Sequence, residues 1–345
     1  MIPRGQRYDA EGTGVTRRDR ILQHIDLRGR GVEIGPLNAP VVTRDMGRIS
    51  YVDRAPREEL ARWFATHPGI DVATIVDVDH VWGDLTLAEC IGPGVRFDYC
   101  IASHVIQNVP DPVTWLQEVH AILEDGSVVS LALHDQRYSF DCLRPLSTMA
   151  EFVDAYVNRR RKPSARQIFE HFTMTVDADA ATLWKTDDVA LLQLRSEASP
   201  RDYLKVCVDA RAEGTYIDSH CWVLTPASFL ERMGRLAALG LLDFEVAAFT
   251  DTMENDLEFF VSLRKLPASL SADEKAKRFR DSAARFAPAG KVPLSAGVAE
   301  LEARIADLHT QLELAKGELA TVTGSKSWRM TAPLRAFMRL LRGKA

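Results

Sequence analysis

Short apolar runs at Val32–Ile34, Ile49–Val52, Val72–Val76, Tyr99–Ala102 and Val128–Leu133 alternate with stretches whose apolar positions recur every three or four residues. Runs of this length bounded by turn residues predict buried parallel strands, and the intervening periodicity predicts helices. The clearest helix has Asp111 as N-cap and Pro112 in its first turn, carries Trp115, Leu116, Val119, Ile122 and Leu123, and stops at Gly126. Alternating units of this kind predict an α/β fold with a doubly wound, Rossmann-like sheet whose ligands sit at the carboxyl ends of the strands.

The alternation breaks between residues 136 and 219, a segment rich in helix formers that includes Arg159-Arg-Arg-Lys162. It predicts a helical insertion over the site. Alternation resumes with a helix capped by Thr225 and Pro226 and closed at Gly240, then strands at Phe244–Phe249 and Phe259–Leu263. Residues 266–296 lose periodicity and predict a linker. Beyond it Val298, Leu301, Ile305, Leu308, Leu312, Ala315, Leu319 and Val322 follow steps of three and four, which predicts a coiled coil at 297–323 and a homo-oligomer, or else a long helix folded back on the core. The domain plan is therefore an extension at 1–17, an α/β domain at 18–265, the linker, the coiled coil and a basic tail at 324–345.

Composition narrows the function classes. The 345 residues carry a net charge of −5, so the chain as a whole is no nucleic-acid binder. Five cysteines form no paired motif, which predicts reduced thiols in a cytoplasmic protein. The N-terminal residues lack an apolar core and no run reaches transmembrane length, so the expected place is the cytosol, free or peripheral on the inner membrane.

The chemistry concentrates at Gly31-Val-Glu-Ile-Gly-Pro-Leu-Asn-Ala-Pro40 and Tyr51-Val-Asp53. A strand enters a tight turn at Gly35, and a second strand ends in an acid about twenty residues after Glu33, a spacing that suits the ribose hydroxyls of an adenosine cofactor. A pyrophosphate would want more glycines and amides, and Pro36 removes an amide. S-adenosylmethionine has no phosphates and suits this turn better than NAD.

The segment Phe97–Gly126, with Ser103-His-Val-Ile-Gln-Asn-Val-Pro-Asp-Pro112 at its centre, resembles the fourth-strand motif of class I S-adenosylmethionine-dependent methyltransferases, which reads SHVIEHVPDP and leads to a helix ending LKPGG. With Glu33–Pro36 and Val52-Asp53, the resemblance spans roughly Val15 to Leu266. It is nearest to bacterial methyltransferase-domain proteins of surface-polysaccharide synthesis, whose next segment is similar to Asp135–Asp141 and Arg144–Thr148. The resemblance implies that Glu33, Gly35 and Pro36 border the methionine part of the cofactor, Asp53 holds the ribose, Asp84 lies near the adenine amino group, and Ser103 and His104 face the sulfonium and the acceptor. Three departures stand out: Gln107-Asn108 for Glu-His, Glu124-Asp-Gly-Ser127 for Lys-Pro-Gly-Gly, and the single glycine of the first turn.

Methyl transfer to a hydroxyl needs alignment and removal of one proton. His104, His134 and Asp135 close the fourth and fifth strands and are the candidate bases; equally, His104 could bond the backbone and Asp135 could cap its loop. Arg137, Tyr138 and Asp141 follow the fifth strand and are candidate acceptor contacts. Arg159–Lys162 would suit a phosphate or form a solvated helix face. His171, Asp218 and His220 have no diagnostic metal spacing, and no metal is expected.

The tail Ser325-Lys-Ser-Trp-Arg-Met-Thr-Ala-Pro-Leu-Arg335 resembles the SxSWRxTxPLR ending of bacterial glycosyltransferases and polysaccharide-modifying enzymes. From Lys326 onward there are six Lys or Arg and no acid. Alternating with Leu334, Phe337, Met338 and Leu341, these cations suit an anionic membrane surface or the acidic groove of a partner. The expected function is methylation of a sugar hydroxyl on a cell-surface glycan or its lipid-linked precursor. The alternative is a non-catalytic scaffold that retains the fold and organises polysaccharide enzymes through its coiled coil and tail; an NAD(P) oxidoreductase comes third.

Overall fold

The computed structural model describes residues 15–286 except Pro68, Asp187 and 189–191, together with Lys316. Met1–Ser295 forms one compact unit and Ala296–Ala345 a second. All of the elements below belong to the first unit. The expected coiled coil at 297–323 and tail at 324–345 lie outside the described residues, apart from Lys316.

In chain order the elements are α1 (Arg17–Ile21), β1 (Arg30–Ile34), β2 (Arg48–Asp53), α2 (Arg57–Trp63), β3 (His80–Val81), α3 (Leu87–Ile91), β4 (Phe97–Ser103), α4 (Pro112–Ile122) and β5 (Leu123–His134). The insertion supplies α5 (Met149–Val157), α6 (Ala165–Met174), α7 (Ala180–Lys185) and α8 (Pro200–Glu213). Then come α9 (Pro226–Ala238), β6 (Phe244–Thr250), β7 (Glu258–Lys265) and α10 (Ala272–Ala283).

The strands form one sheet in the order β3-β2-β1-β4-β5-β7-β6. The first five are parallel, and β7 runs antiparallel between β5 and β6. The chain therefore has the expected Rossmann-like α/β fold, closed by an antiparallel pair after the last crossover helix.

Period-two alternation distributes each strand between two cores. Val32, Ile34, Val52, Cys100, Ala102, Val129 and Leu131 face the larger one, with Trp115, Leu116 and Val119 of α4 and Phe229 and Met233 of α9. Tyr51, Tyr99 and Ile101 face the smaller one, under Ile21, Val41 and Val42. Gly31 is required there, because a Cβ would overlap the Tyr99 ring. Burial on both faces explains why these strands read as unbroken apolar runs.

Asp111 caps α4 as its sequence implied, its side chain accepting from Thr114 N at 3.0 Å. The helix ends at Ile122, short of Gly126, because the chain turns directly into β5 at Leu123. Thr225 caps α9 with Pro226 in its first turn.

Three expectations are corrected. Val72–Val76 is no strand: Val72–Thr74 is a single 3-10 turn, fixed by Asp71 accepting from Ala73 N at 3.0 Å, and the edge strand is the two-residue β3. No helix occupies the connection Gly35–Gly47 between β1 and β2. The linker expected at 266–296 contains α10, which has a capping box at Ser271 and Glu274 and packs on β6 and α9 through fully buried Phe279. Sparse apolar spacing concealed this helix, since one aromatic anchors it. Among the described residues, no helix is long and apolar enough to cross a membrane.

Candidate active site

The parallel strands finish along one edge, and a cavity of about 1500 Å³ opens there. Gly35 after β1, Asp53 and Arg54 at the tip of β2, Trp82–Asp84 after β3, and His104 and Val105 after β4 line it. Gly35 adopts φ +67°, and its amide donates to Val52 O at 2.8 Å. A Cβ on Gly35 would lie 2.9 Å from Val105 Cγ2, so the lack of a side chain keeps the crevice between the first and fourth strands open. Asp53 Oδ1 accepts from Arg54 N at 2.7 Å, and Trp82 N donates to Asp53 O at 2.8 Å, which stitches the turn after β3 to the tip of β2. The Arg54 guanidinium stacks 3.5 Å from the Tyr216 ring centroid and lies 3.9 Å from Asp84, joining the insertion to this rim.

This donor set fits a phosphate-free adenosyl cofactor. A dinucleotide would need a helix N-terminus and successive amides after β1. The helix-free connection and Pro36 supply neither, whereas Asp53 and Asp84 offer carboxylates for ribose hydroxyls and an amino group.

Gly35, Asp53, Asp84 and His104 thus meet around one cavity. Glu33 and Pro36 do not line it. Glu33 is buried on the opposite face of β1, where its carboxylate accepts from Val41 N at 2.8 Å and Val42 N at 3.1 Å and pins the β1–β2 connection. Pro36 is buried within the turn.

Ser103, expected to face the sulfonium, does not line the cavity either; it belongs to a polar group that sequence reasoning missed. Ser103 Oγ accepts from an Arg17 terminal nitrogen at 2.7 Å. Arg17 also binds Glu258 in a two-pronged pair, Nε at 2.6 Å and a terminal nitrogen at 2.7 Å. The same Glu258 carboxylate is in close contact with His104 Nε2. Burial pushes the Glu258 carboxyl up, but His104 and Arg17 outweigh it and hold the group well below the usual carboxylate range. His104 adopts φ +58°, unusual for a residue with a side chain; its amide donates to Ala132 O at 2.9 Å and its carbonyl accepts from Asn108 Nδ2 at 3.1 Å. Nothing local marks Glu258, since 154 residues separate it from His104.

His134 ends β5 directly across the ladder from Glu258. Its ring packs 4.2 Å from that of His104, 5.1 Å from His220 and 5.5 Å from Phe140. Burial drives its basicity well below the ordinary histidine value. His134 does not line the cavity, so the structure offers it as packing behind His104 rather than as a base.

Asp135 is fully buried and caps the turn 136–138. Its carboxylate accepts from Arg137 N and Nε at 3.0 Å, from an Arg137 terminal nitrogen at 2.6 Å and from Thr252 Oγ1 at 2.7 Å. Tyr138 stacks on Trp184 with ring centroids 3.8 Å apart. Asp141 Oδ1 accepts from Arg144 at 2.8 Å, and Oδ2 from His220 Nδ1 at 2.6 Å. Asp135, Arg137, Tyr138 and Asp141 are therefore corrected from base and acceptor contacts to internal ties of the insertion. The reason is local: the chain leaves β5 in a capped turn that buries these side chains.

Asn108, Tyr216 and Asp218 also line the cavity, as do Arg159–Arg161. Arg160 pairs with Asp154 at 2.6 Å and Arg161 with Glu118 at 3.3 Å. Among the described residues no group of three or more metal-ligating side chains is arranged to hold an ion.

No family model matches the chain, and no curated protein matches it. Solved structures give distant likenesses. An S-adenosylmethionine-dependent methyltransferase from Methanosarcina mazei is 13% identical, with 71% of this chain and 96% of that one covered and a TM-score of 0.35. The 1,6-didemethyltoxoflavin-N1-methyltransferase of Burkholderia thailandensis, solved with S-adenosylhomocysteine, is 10% identical over 72% and 76%, with a TM-score of 0.36. The CurJ carbon methyltransferase is 12% identical over 71% of this chain at a TM-score of 0.33, and this chain spans about half, 51%, of its length.

Proposed function

We propose that this chain is a methyltransferase that uses S-adenosylmethionine and acts on a sugar hydroxyl of a cell-surface glycan or its lipid-linked precursor. The observation that carries the reading is the meeting of Gly35, Asp53, Asp84 and His104 around one cavity, beside a strand-to-strand turn that offers no phosphate cradle. When bound, the cofactor supplies an electrophilic methyl group on a sulfonium. Asp53 would accept the ribose hydroxyls, Asp84 would face the adenine amino group, and Gly35 would let the backbone approach the amino-acid part. His104 would take the acceptor proton. The glycan assignment draws on the resemblance of Phe97–Gly126 and Asp135–Thr148 to polysaccharide-associated methyltransferase-domain proteins. The coiled coil would oligomerise the chain, and the basic tail would hold it at the inner membrane surface.

Calorimetry with S-adenosylhomocysteine, followed by transfer of labelled methyl into cell-envelope fractions, tests this. Binding and incorporation of label into glycan are expected. Absence of binding overturns the cofactor assignment; binding without turnover, with loss of the cellular phenotype on removing 297–345, would favour the scaffold.

A further inference from the structure

We infer that Glu258, held by Arg17, is the positioning residue of the methyl-transfer site, fixing His104 as the tautomer whose Nδ1 takes the proton from an acceptor hydroxyl. The inference rests on the proposed methyltransferase function and deepens it, because a positioned base serves an acceptor that enters carrying its proton.

Glu258 starts β7, an antiparallel strand laid against β5, and this places its carboxylate beneath the end of β4. A buried carboxylate is costly unless opposite charge and donors surround it. Arg17 provides both, with Nε at 2.6 Å from Oε2 and a terminal nitrogen at 2.7 Å from Oε1. That terminal nitrogen also reaches Ser103 Oγ at 2.7 Å, so one guanidinium ties the last residue of β4 to the first of β7. His104, the next residue, meets Glu258 Oε1 through Nε2.

A carboxylate can only accept, so the neutral imidazole carries its hydrogen on Nε2 and its lone pair on Nδ1. With Arg17 cationic and Glu258 anionic, the group is neutral while the imidazole is neutral and gains one positive charge when His104 is protonated. The carboxylate bonded directly to the ring steadies the imidazolium formed during transfer, while Arg17 on the same carboxylate tempers that effect and keeps His104 neutral at rest. The backbone supports the same placement: His104 sits at φ +58°, held by its amide to Ala132 O at 2.9 Å and by Asn108 Nδ2 on its carbonyl at 3.1 Å. Backbone strain of this kind gathers at sites where one side chain must point one way.

In the transfer step, the acceptor oxygen gives its proton to His104 Nδ1 and an electron pair to the methyl carbon. The pair of the broken carbon–sulfur bond stays with the departing thioether. The imidazolium then returns its proton to solvent.

Two readouts test the inference. Histidine ¹⁵N spectra of the full chain without cofactor, with the His104 signals assigned through His104→Gln, should find the Nε2–H tautomer in wild type and a tautomer mixture in Glu258→Gln. Labelled-methyl transfer into a cell-envelope fraction should fall at least about tenfold in Glu258→Gln, with its pH profile displaced because His104 loses the adjacent carboxylate, and should recover partly in Glu258→Asp. In a His104→Ala background, Glu258→Gln should add no further loss. If Glu258→Gln is too unstable to study, the paired variant Arg17→Met with Glu258→Gln leaves no unmatched buried charge and serves instead. An Nδ1–H tautomer in wild type, an unchanged tautomer in both variants, or additive losses would overturn it. Cofactor-product binding separates the two claims: wild type that fails to bind S-adenosylhomocysteine overturns the methyltransferase reading, whereas normal binding with the wrong tautomer overturns only the role of Glu258.

Discussion

A carbon placed on Gly35 would come within 2.9 Å of Val105 Cγ2, so the turn after β1 and the residue that follows His104 are shaped to one another. Gly35→Ala combines that contact with a left-handed backbone that side chains disfavour by about 1 kcal/mol. Its affinity for S-adenosylhomocysteine should drop by about tenfold or more, and Val105→Ala in the same chain should restore part of it. Calorimetry on the single and double variants checks this; unchanged affinity in Gly35→Ala would remove the turn from the cofactor site.

Asp53→Ala tests the tip of β2. A charge-assisted hydrogen bond to a ribose is worth about 1.5–3 kcal/mol, so the dissociation constant should rise about 10- to 150-fold. Asp53 stands at the cavity rim, and the melting temperature of the free protein should move little. A large loss of stability with full binding would mark Asp53 as structural.

For Asp135 the expectation is reversed. Its carboxylate is internal to the insertion, and Asp135→Asn takes from Arg137 its closest opposite charge. Breaking a buried pair in this way costs about 3–5 kcal/mol, which urea titration would detect. A stable Asp135→Asn protein that binds cofactor but transfers no methyl would restore Asp135 as a base.

Stability should also respond to mild acid. Burial pushes His134 well below the usual histidine value and, with His220 nearby, His171 down to about 3. Both are neutral when folded, while the unfolded chain protonates them near pH 6.5, at about the ordinary value. Below that point the unfolded state binds more protons, so stability declines by up to about 1.4 kcal/mol per pH unit for each ring. The decline continues toward pH 3 for His171. Asp141 and Glu258 have depressed values when folded, so their contribution is present above the normal carboxylate range and is lost as pH falls below it. Urea midpoints measured from neutral pH downward should therefore slope well before carboxylates titrate, and His171→Gln should flatten that slope. A flat profile above about pH 5 would contradict the buried neutral rings.

The sheet was readable because its strands are buried on both faces and its longer helices carry explicit caps, as at Asp111 and Thr225. Val72–Val76 misled because an apolar run beside Asp71 reads as a strand until the aspartate caps the turn. Of the expected cofactor contacts, Gly35, Asp53 and Asp84 do line the cavity, since they lie at or shortly after strand ends and strand ends set it. Glu33 occupies the right strand but faces away, a distinction of one residue in register. The roles of the residues after β5 were not legible: Asp135, Arg137, Tyr138 and Asp141 are polar yet buried, and their partners Thr252, Trp184 and His220 are distant in sequence. Arg17 and Glu258 were hidden for the same reason, being 241 residues apart.

The late strand β7 has a consequence for synthesis. Because it slots between β5 and β6, a growing chain that has not yet delivered it exposes an unpaired edge along β5, the kind of surface that invites aggregation. Glu258 arrives with that strand, so Arg17 and His104 wait for their shared partner until most of the polypeptide has left the ribosome. Completion of the sheet and assembly of the Arg17–Glu258–His104 group become one event.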